Sequence, residues 1–161
     1  MESRATVLIS SLGLAAHPEG GHFREVYRSA SRVQPADERP QRAALTTIYF
    51  LLAAGEVSRW HRVASDEVWH YYEGHALVLF TADANFEGVT PHVLGSIGDG
   101  RQPVHVVPAN MWQAAHSTGA YTLAGCTVGP GFEFADFQLL RDRPVETEAV
   151  RRRHPSAARF I

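Results

Sequence analysis

His61 and Glu67 stand six positions apart in the stretch GEVSRWHRVASDEVWHYYEG, between Gly55 and Gly74. A histidine beside a carboxylate forms an acid/base pair that works near neutral pH. The same two residue types also ligate metals. On a strand, residues two apart share a face. His61 and Val63 therefore point the same way, and a turn at residues 64–66 returns the chain so that Glu67 faces them. Inside a barrel that shared face is the interior, where convergent polar groups in an apolar pocket mark a binding site. Taken alone, His61 reads better as a hydrogen-bonded core histidine and Glu67 as an exposed strand residue; the register of the bracketing glycines favours the functional reading.

The elements that must position this pair are strands. Residues 3–15 carry Val7, Leu8, Leu12 and Leu14 at helical spacing, which predicts one short amphipathic helix. HPEGGHF ends it with Pro18 and a Gly20-Gly21 turn. FREVYRS (23–29) then alternates, and Ala43–Leu52 is apolar and β-type. Ala30–Arg42, with Pro35 and Pro40, reads as a mobile loop or long hairpin connection. After Gly55 strand signals recur every ~8–12 residues, the rhythm of a sandwich or barrel: Val57–Val63, Glu67–Tyr72, Ala76–Ala82, Val89–Leu94, Val104–Val107, Met111–His116 and Tyr121–Val128. No strand is followed by a helix long enough for a parallel crossover. The tail Pro144–Arg153 predicts a C-terminal helix that covers the barrel or a sheet edge.

Bulk properties narrow the setting. A chain of 161 residues, 45% apolar and 20% charged with net charge −2, has the size of a single domain and an ordinary globular composition. That charge leaves no footprint for nucleic acid or an anionic membrane. No apolar run approaches the roughly 18 residues of a membrane span, and the N-terminal stretch lacks a signal-peptide layout. The lone Cys126 excludes an internal disulfide and suits a reducing cytoplasm, where the protein is expected.

The spacing of Gly55, His61, Glu67 and Gly74 resembles the first signature of the cupin superfamily, G-x5-H-x-H-x3,4-E-x6-G, with Val63 where the second histidine belongs. The second signature, G-x5-P-x-G-x2-H-x3-N, falls over Gln102–Ser117. Pro108 matches it, and Asn110 replaces the turn glycine, a tolerable exchange because asparagine visits left-handed backbone. Gln113 stands where the ligand histidine would be, and Ser117 replaces the asparagine. His70 and His116 have the wrong strand parity to compensate. HPEGGHFREVYRS, TTIYFLL, SRWHRVASDEVWHYYEG, VPANMWQAA and CTVGPGFEFADFQLL resemble successive blocks of a family of uncharacterised single-domain cupins, from about Leu12 to Leu140. The resemblance implies an all-β fold: a double-stranded β-helix jelly roll with a barrel core at about 23–128, short helices at both ends, a pocket in the barrel, and often a dimer.

A small-molecule-binding cupin doing proton transfer on a polar, sugar-like or carbonyl compound is the leading expectation, with isomerase or epimerase chemistry. A similar shape belongs to the dTDP-4-keto-6-deoxysugar epimerases, which use a barrel histidine and a tyrosine without metal. Here His61 is the expected base, Glu67 its orienting partner, and Tyr71 or Tyr49 the acid. Trp69 and Tyr71 share parity with Glu67. With Tyr49, Trp112 and Gln113 they are the expected substrate contacts, since aromatic faces hold flat rings; filling the barrel is their plainer role. Arg24 is placed to reach an anionic group, or is simply an exposed edge arginine. A second reading is a metal-dependent lyase or dioxygenase with Fe, Mn, Ni or Zn on His61, Glu67 and Gln113. With Val63 in the ligand row and an amide for an imidazole, that set is incomplete. A third is a non-catalytic binding module. HPEGG lacks the length and lysine of a phosphate loop and reads as a turn near the pocket mouth. Cys126 reads as a buried inert thiol, and Asp136 as a turn or capping carboxylate. FREVYRS is the expected strand for pairing in a homodimer.

Overall fold

The structure, a computed structural model, describes residues 2–161. Helix α1 (Arg4–Leu12) starts at Ser3, whose hydroxyl accepts from the Thr6 amide, and stops at Gly13 in left-handed backbone. The strands that follow are β1 (Ala15–Ala16), β2 (His22–Arg28), β3 (Arg32–Val33), β4 (Arg42–Ala43), β5 (Thr46–Ala53), β6 (Val57–Val63), β7 (Asp66–Gly74), β8 (Leu77–Ala82), β9 (Val89–Leu94), β10 (Val104–Val107), β11 (Trp112–Ser117), β12 (Tyr121–Gly129) and β13 (Phe137–Leu139). Helix α2 (Pro144–Arg153) begins on a proline, which suits a first turn whose amide needs no partner. None of the described helices is long and apolar enough to cross a membrane.

Two antiparallel sheets make the jelly roll. One runs β1-β2-β5-β12-β7-β10 and the other β13-β6-β11-β8-β9. Period-two alternation sorts neighbouring residues onto opposite faces. The inward set, including Phe50, Leu52, Trp69, Leu79, Val107 and Cys126, fills the space between the sheets. Trp60 and Trp112 on the outward face of the second sheet, with Phe86 from the β8–β9 connection, are buried by Leu140, Val150 and Phe160 of the C-terminal segment. The Trp60 indole donates to Ala157 O at 2.9 Å and pins that segment down. Helix α1 lays Ala5 and Leu8 over Leu51 and Leu123 on the far face of the first sheet.

The Gly20-Gly21 turn presses the HPEGG segment against strands β5 and β6. Gly21 has φ +70°, and a Cβ there would stand 2.7 Å from Leu51 O. Gly20 has φ +110°, and its Cβ would overlap Val57 O. Only glycine permits this backbone and this approach. The Arg59 amide then donates to Glu19 O at 2.8 Å, so the turn is stitched to β6.

Helix is confined to the two ends, as expected, with short 3-10 turns beside α2. Residues 30–42 are the long hairpin connection between β2 and β5 and hold the small β3–β4 pairing. Two details differ from the sequence expectation. Arg39 and Arg42 tie this connection to Asp136 at 3.1 and 2.8 Å. Asp136 is therefore a paired buried carboxylate instead of a cap. Strand β13 adds an edge to β6; three residues are too few to show a period in the sequence.

Candidate functional site

His61 is buried in β6 with its Nδ1 2.7 Å from Arg59 O. A carbonyl only accepts, so Nδ1 carries the hydrogen. That leaves Nε2 facing Glu19 Oε2 at 3.2 Å. Glu19 comes from the HPEGG turn and is 6% exposed. Its other oxygen accepts from the Ser58 hydroxyl at 2.7 Å. Burial pushes the Glu19 carboxyl up and the His61 imidazole down. Both shifts favour a neutral pair, with one proton lying between the two groups on Glu19.

Glu67 opens β7 on the same floor. Gln113 donates its amide N–H to Glu67 Oε2 at 2.6 Å, while Gln113 Oε1 accepts from the Trp69 indole at 2.8 Å. An indole nitrogen is donor only. It therefore fixes which way the amide faces and commits its N–H to the carboxylate. Burial raises the Glu67 carboxyl, opposed mainly by His61. Cys126 lies beside it, and burial with the neighbouring Glu67 pushes the thiol far up, which keeps it an unreactive thiol.

These groups form one end of a cavity of about 100 Å³ between the sheets. Phe23, Ile48, Phe50, Val128, Phe132 and Phe137 wall it. His17 stands among the rings, 4.5 Å from Phe23 and 5.9 Å from Phe137 between centroids. Its Nδ1 accepts the Glu19 amide at 3.2 Å, so this nitrogen bears no proton and the ring is neutral. Burial lowers its pKa in the same sense. At the mouth Arg28 pairs with Glu25 at 2.9 Å and Glu133 at 3.0 Å. A dry cavity of roughly 150 Å³ holds benzene, so this one takes a molecule of a few heavy atoms.

His61 and Glu67 thus meet in the cavity, with Val63 on its wall. Trp69 and Gln113 stand behind them as the support of Glu67. The other expected contacts lie elsewhere. The Tyr71 hydroxyl donates to Gly74 O at 2.6 Å and closes a turn. Tyr49 is on the outer face of β5, packed with the α1 cluster. Trp112 points away from the cavity because it neighbours Gln113 in sequence, and Arg62 covers it. Arg24 donates to Leu12 O at 3.1 Å and caps the end of α1. His116 stacks on Phe80 and Phe160, outside the barrel.

His61, Glu67 and Gln113 do not fit a metal. The Gln113 oxygen is taken by Trp69, His61 Nε2 faces Glu19, and Val63 has no donor. Among the described residues no group of three or more His, Cys, Asp or Glu is arranged to hold a metal ion. The sequence reading missed His17, Glu19 and the phenylalanines of GFEFADF. The signals were a histidine and a glutamate just before a double glycine, and aromatic residues recurring at 132, 134 and 137.

The family model described as Cupin superfamily (DUF985) matches residues 6–140. A hypothetical protein from Leishmania major superposes with TM-score 0.84 at 28% identity, covering 99% of this chain and 97% of that one. A protein from Shewanella oneidensis gives TM-score 0.81 at 32% identity, covering 99% and 94%. A cupin 2 domain-containing protein from Halorhodospira halophila shares the fold at TM-score 0.58 and 17% identity, covering 91% and 86%. No curated protein matches the chain.

Proposed function

We propose, for a chain that belongs to the DUF985 family of the cupin superfamily, that it binds a small molecule in the barrel cavity and moves a proton within it, as an isomerase or epimerase does. The observation that carries this reading is the 3.2 Å approach of His61 Nε2 to a buried Glu19 carboxyl, with Glu67 on the same floor. The Nδ1–H bond to Arg59 O fixes the imidazole, so Nε2 is the atom available for proton transfer.

In the working sequence, the Glu67 carboxylate removes a proton from the carbon beside a carbonyl, while His61 Nε2 holds the Glu19 proton in place. The electron pair of that C–H bond moves into an enolate. Glu19, kept protonated by burial, returns a proton, and the catalytic groups then exchange protons to restore the start. Atoms and electrons balance without a further reactant. The acid assigned to Tyr71 from sequence passes to Glu19, because the Tyr71 hydroxyl is held at Gly74. The apolar walls lower the local dielectric, which strengthens each polar contact at the floor.

The test is solvent exchange. Small ketones and hydroxyketones are incubated with the protein in D2O and followed by proton NMR. Enzyme-dependent deuterium entry at the α-carbon, lost in His61→Asn and Glu19→Gln, is expected. No exchange above buffer across the panel, with a ligand demonstrably bound, would leave a binding module and refute catalysis.

A further inference from the structure

The charges around the cavity do not balance, and the imbalance has a location. His17 is neutral because its Nδ1 accepts a backbone amide. His61 has one nitrogen committed to Arg59 O and so brings at most one positive charge. A single proton between His61 and Glu19 settles that pair. Glu67 remains. It is 7% exposed and is held by the Gln113 amide and the Cys126 thiol, neither of which carries positive charge, while the nearby His61 imidazole already faces Glu19. The mouth has the same sign. Glu25 and Glu133 share the one guanidinium of Arg28, which also donates to Phe132 O. An anion entering here meets no free cation among the described residues and, at the floor, the Glu67 carboxylate. A positive group meets Glu67 at the floor and aromatic faces on the way, and such faces attract cations.

We propose that the cavity takes a small organic cation, an amidinium, guanidinium or ammonium compound, with its N–H groups on Glu67 and its body among Phe23, Phe50 and Phe137. The inference rests on the reading of the cavity as a ligand site. It adds the charge of the ligand, which that reading left open. An organic cation suits the place better than a hydrated inorganic one. Apolar rings cannot replace a hydration shell, and the floor lacks three ligating side chains arranged for a metal ion. A planar amidinium also matches a carboxylate with two parallel N–H bonds.

Acetamidinium, acetamide and acetate share one shape and carry charges of opposite sign or none. Each is titrated into the full chain at constant ionic strength and followed by ligand-observed NMR, with the protein's melting temperature read in parallel. Acetamidinium is expected to bind at least tenfold tighter than acetamide, with acetate showing no saturation. In Glu67→Gln the preference for acetamidinium over acetamide is expected to vanish. If that variant does not fold, the three-probe series on the unaltered protein decides. Acetamide binding as tightly as acetamidinium overturns the cation inference and leaves the ligand site standing. Saturation by acetate alone does the same. No saturable binding by any of the three overturns the site reading and this inference with it.

Discussion

Replacing Gln113 by leucine removes both hydrogen bonds that hold the floor while leaving the volume nearly unchanged. The indole N–H of Trp69 and Oε2 of Glu67 lose partners at 2.8 and 2.6 Å, and all three side chains are buried. A buried donor left unsatisfied costs about 1–3 kcal/mol, and a hydrogen bond to a charged group contributes about 1.5–3 kcal/mol. The sum is about 2.5–6 kcal/mol, a large part of the roughly 5–15 kcal/mol that holds an ordinary domain together. For a chain of this length it corresponds to a fall in melting temperature on the order of 10 °C. Urea denaturation at pH 8 and pH 5 reads it out. The loss should be smaller at pH 5, because a protonated Glu67 misses a donor less. Trp69→Phe in the Gln113→Leu background removes the orphaned indole N–H, so the double variant should be less destabilised than the sum of the singles, by about 1–2 kcal/mol. If Gln113→Leu lies within about 0.5 kcal/mol of the parent, or the pair is additive within about 0.5 kcal/mol, the Trp69–Gln113–Glu67 chain does not support the site.

Titration of stability gives a second check. The raised Glu19 and Glu67 carboxyls bind protons more tightly folded than unfolded, so their contribution is full below the ordinary glutamate range and is lost as pH rises through the folded values. His17 and His61 are lowered, and that contribution fades as pH falls below the ordinary histidine value. Glu67→Gln should therefore gain on the parent between pH 5 and pH 8 in denaturant midpoints; a constant difference would contradict the assignment. Asp136→Ala removes the carboxylate that Arg39 and Arg42 share and should lower stability in chemical denaturation. Asp136 itself is held below the usual carboxylate range, chiefly by hydrogen bonds from Arg42, so its support is present at neutral pH and lost as acid protonates it. Gly21→Ala should destabilise by about 2–4 kcal/mol, combining left-handed strain with the clash at Leu51 O. His61→Asn should leave the melting temperature unchanged or raised, whereas Trp69→Ala should cost about 3–5 kcal/mol; equal losses would make His61 a structural residue.

Strand period carried most of what the sequence disclosed. Val57–Val63, Val89–Leu94 and Val104–Val107 are the observed strands to the residue. Parity placed His61, Val63, Glu67 and Trp69 inward. The same parity, applied to Trp112 beside Gln113, points that indole outward, where it lies. Arg24 and Tyr71 were opaque for another reason. Their roles are hydrogen bonds to carbonyls at a helix end and a turn, which any sequence supplies. Glu19 was hidden because its partners, Ser58 and His61, lie about forty residues away on another strand. Nothing local in HPEGG announces that contact except the glycines that let the turn press against β6.

Strand β12 lies between β5 and β7, although it is the last strand of that sheet in the chain. During synthesis, then, the sheet that bears Glu67 waits as two halves with an open slot. β6, β8, β9 and β11 are already complete by residue 117 and form their own ladder. Only when Tyr121–Gly129 enters are the β2–β5 and β7–β10 halves joined, and only then does Cys126 arrive beside Glu67. The acid-lined floor is thus among the last parts of the molecule to exist. A nascent chain halted at residue 120 is expected to present two bare strand edges, the surfaces on which chains aggregate, and to bind nothing in a cavity that has not yet closed.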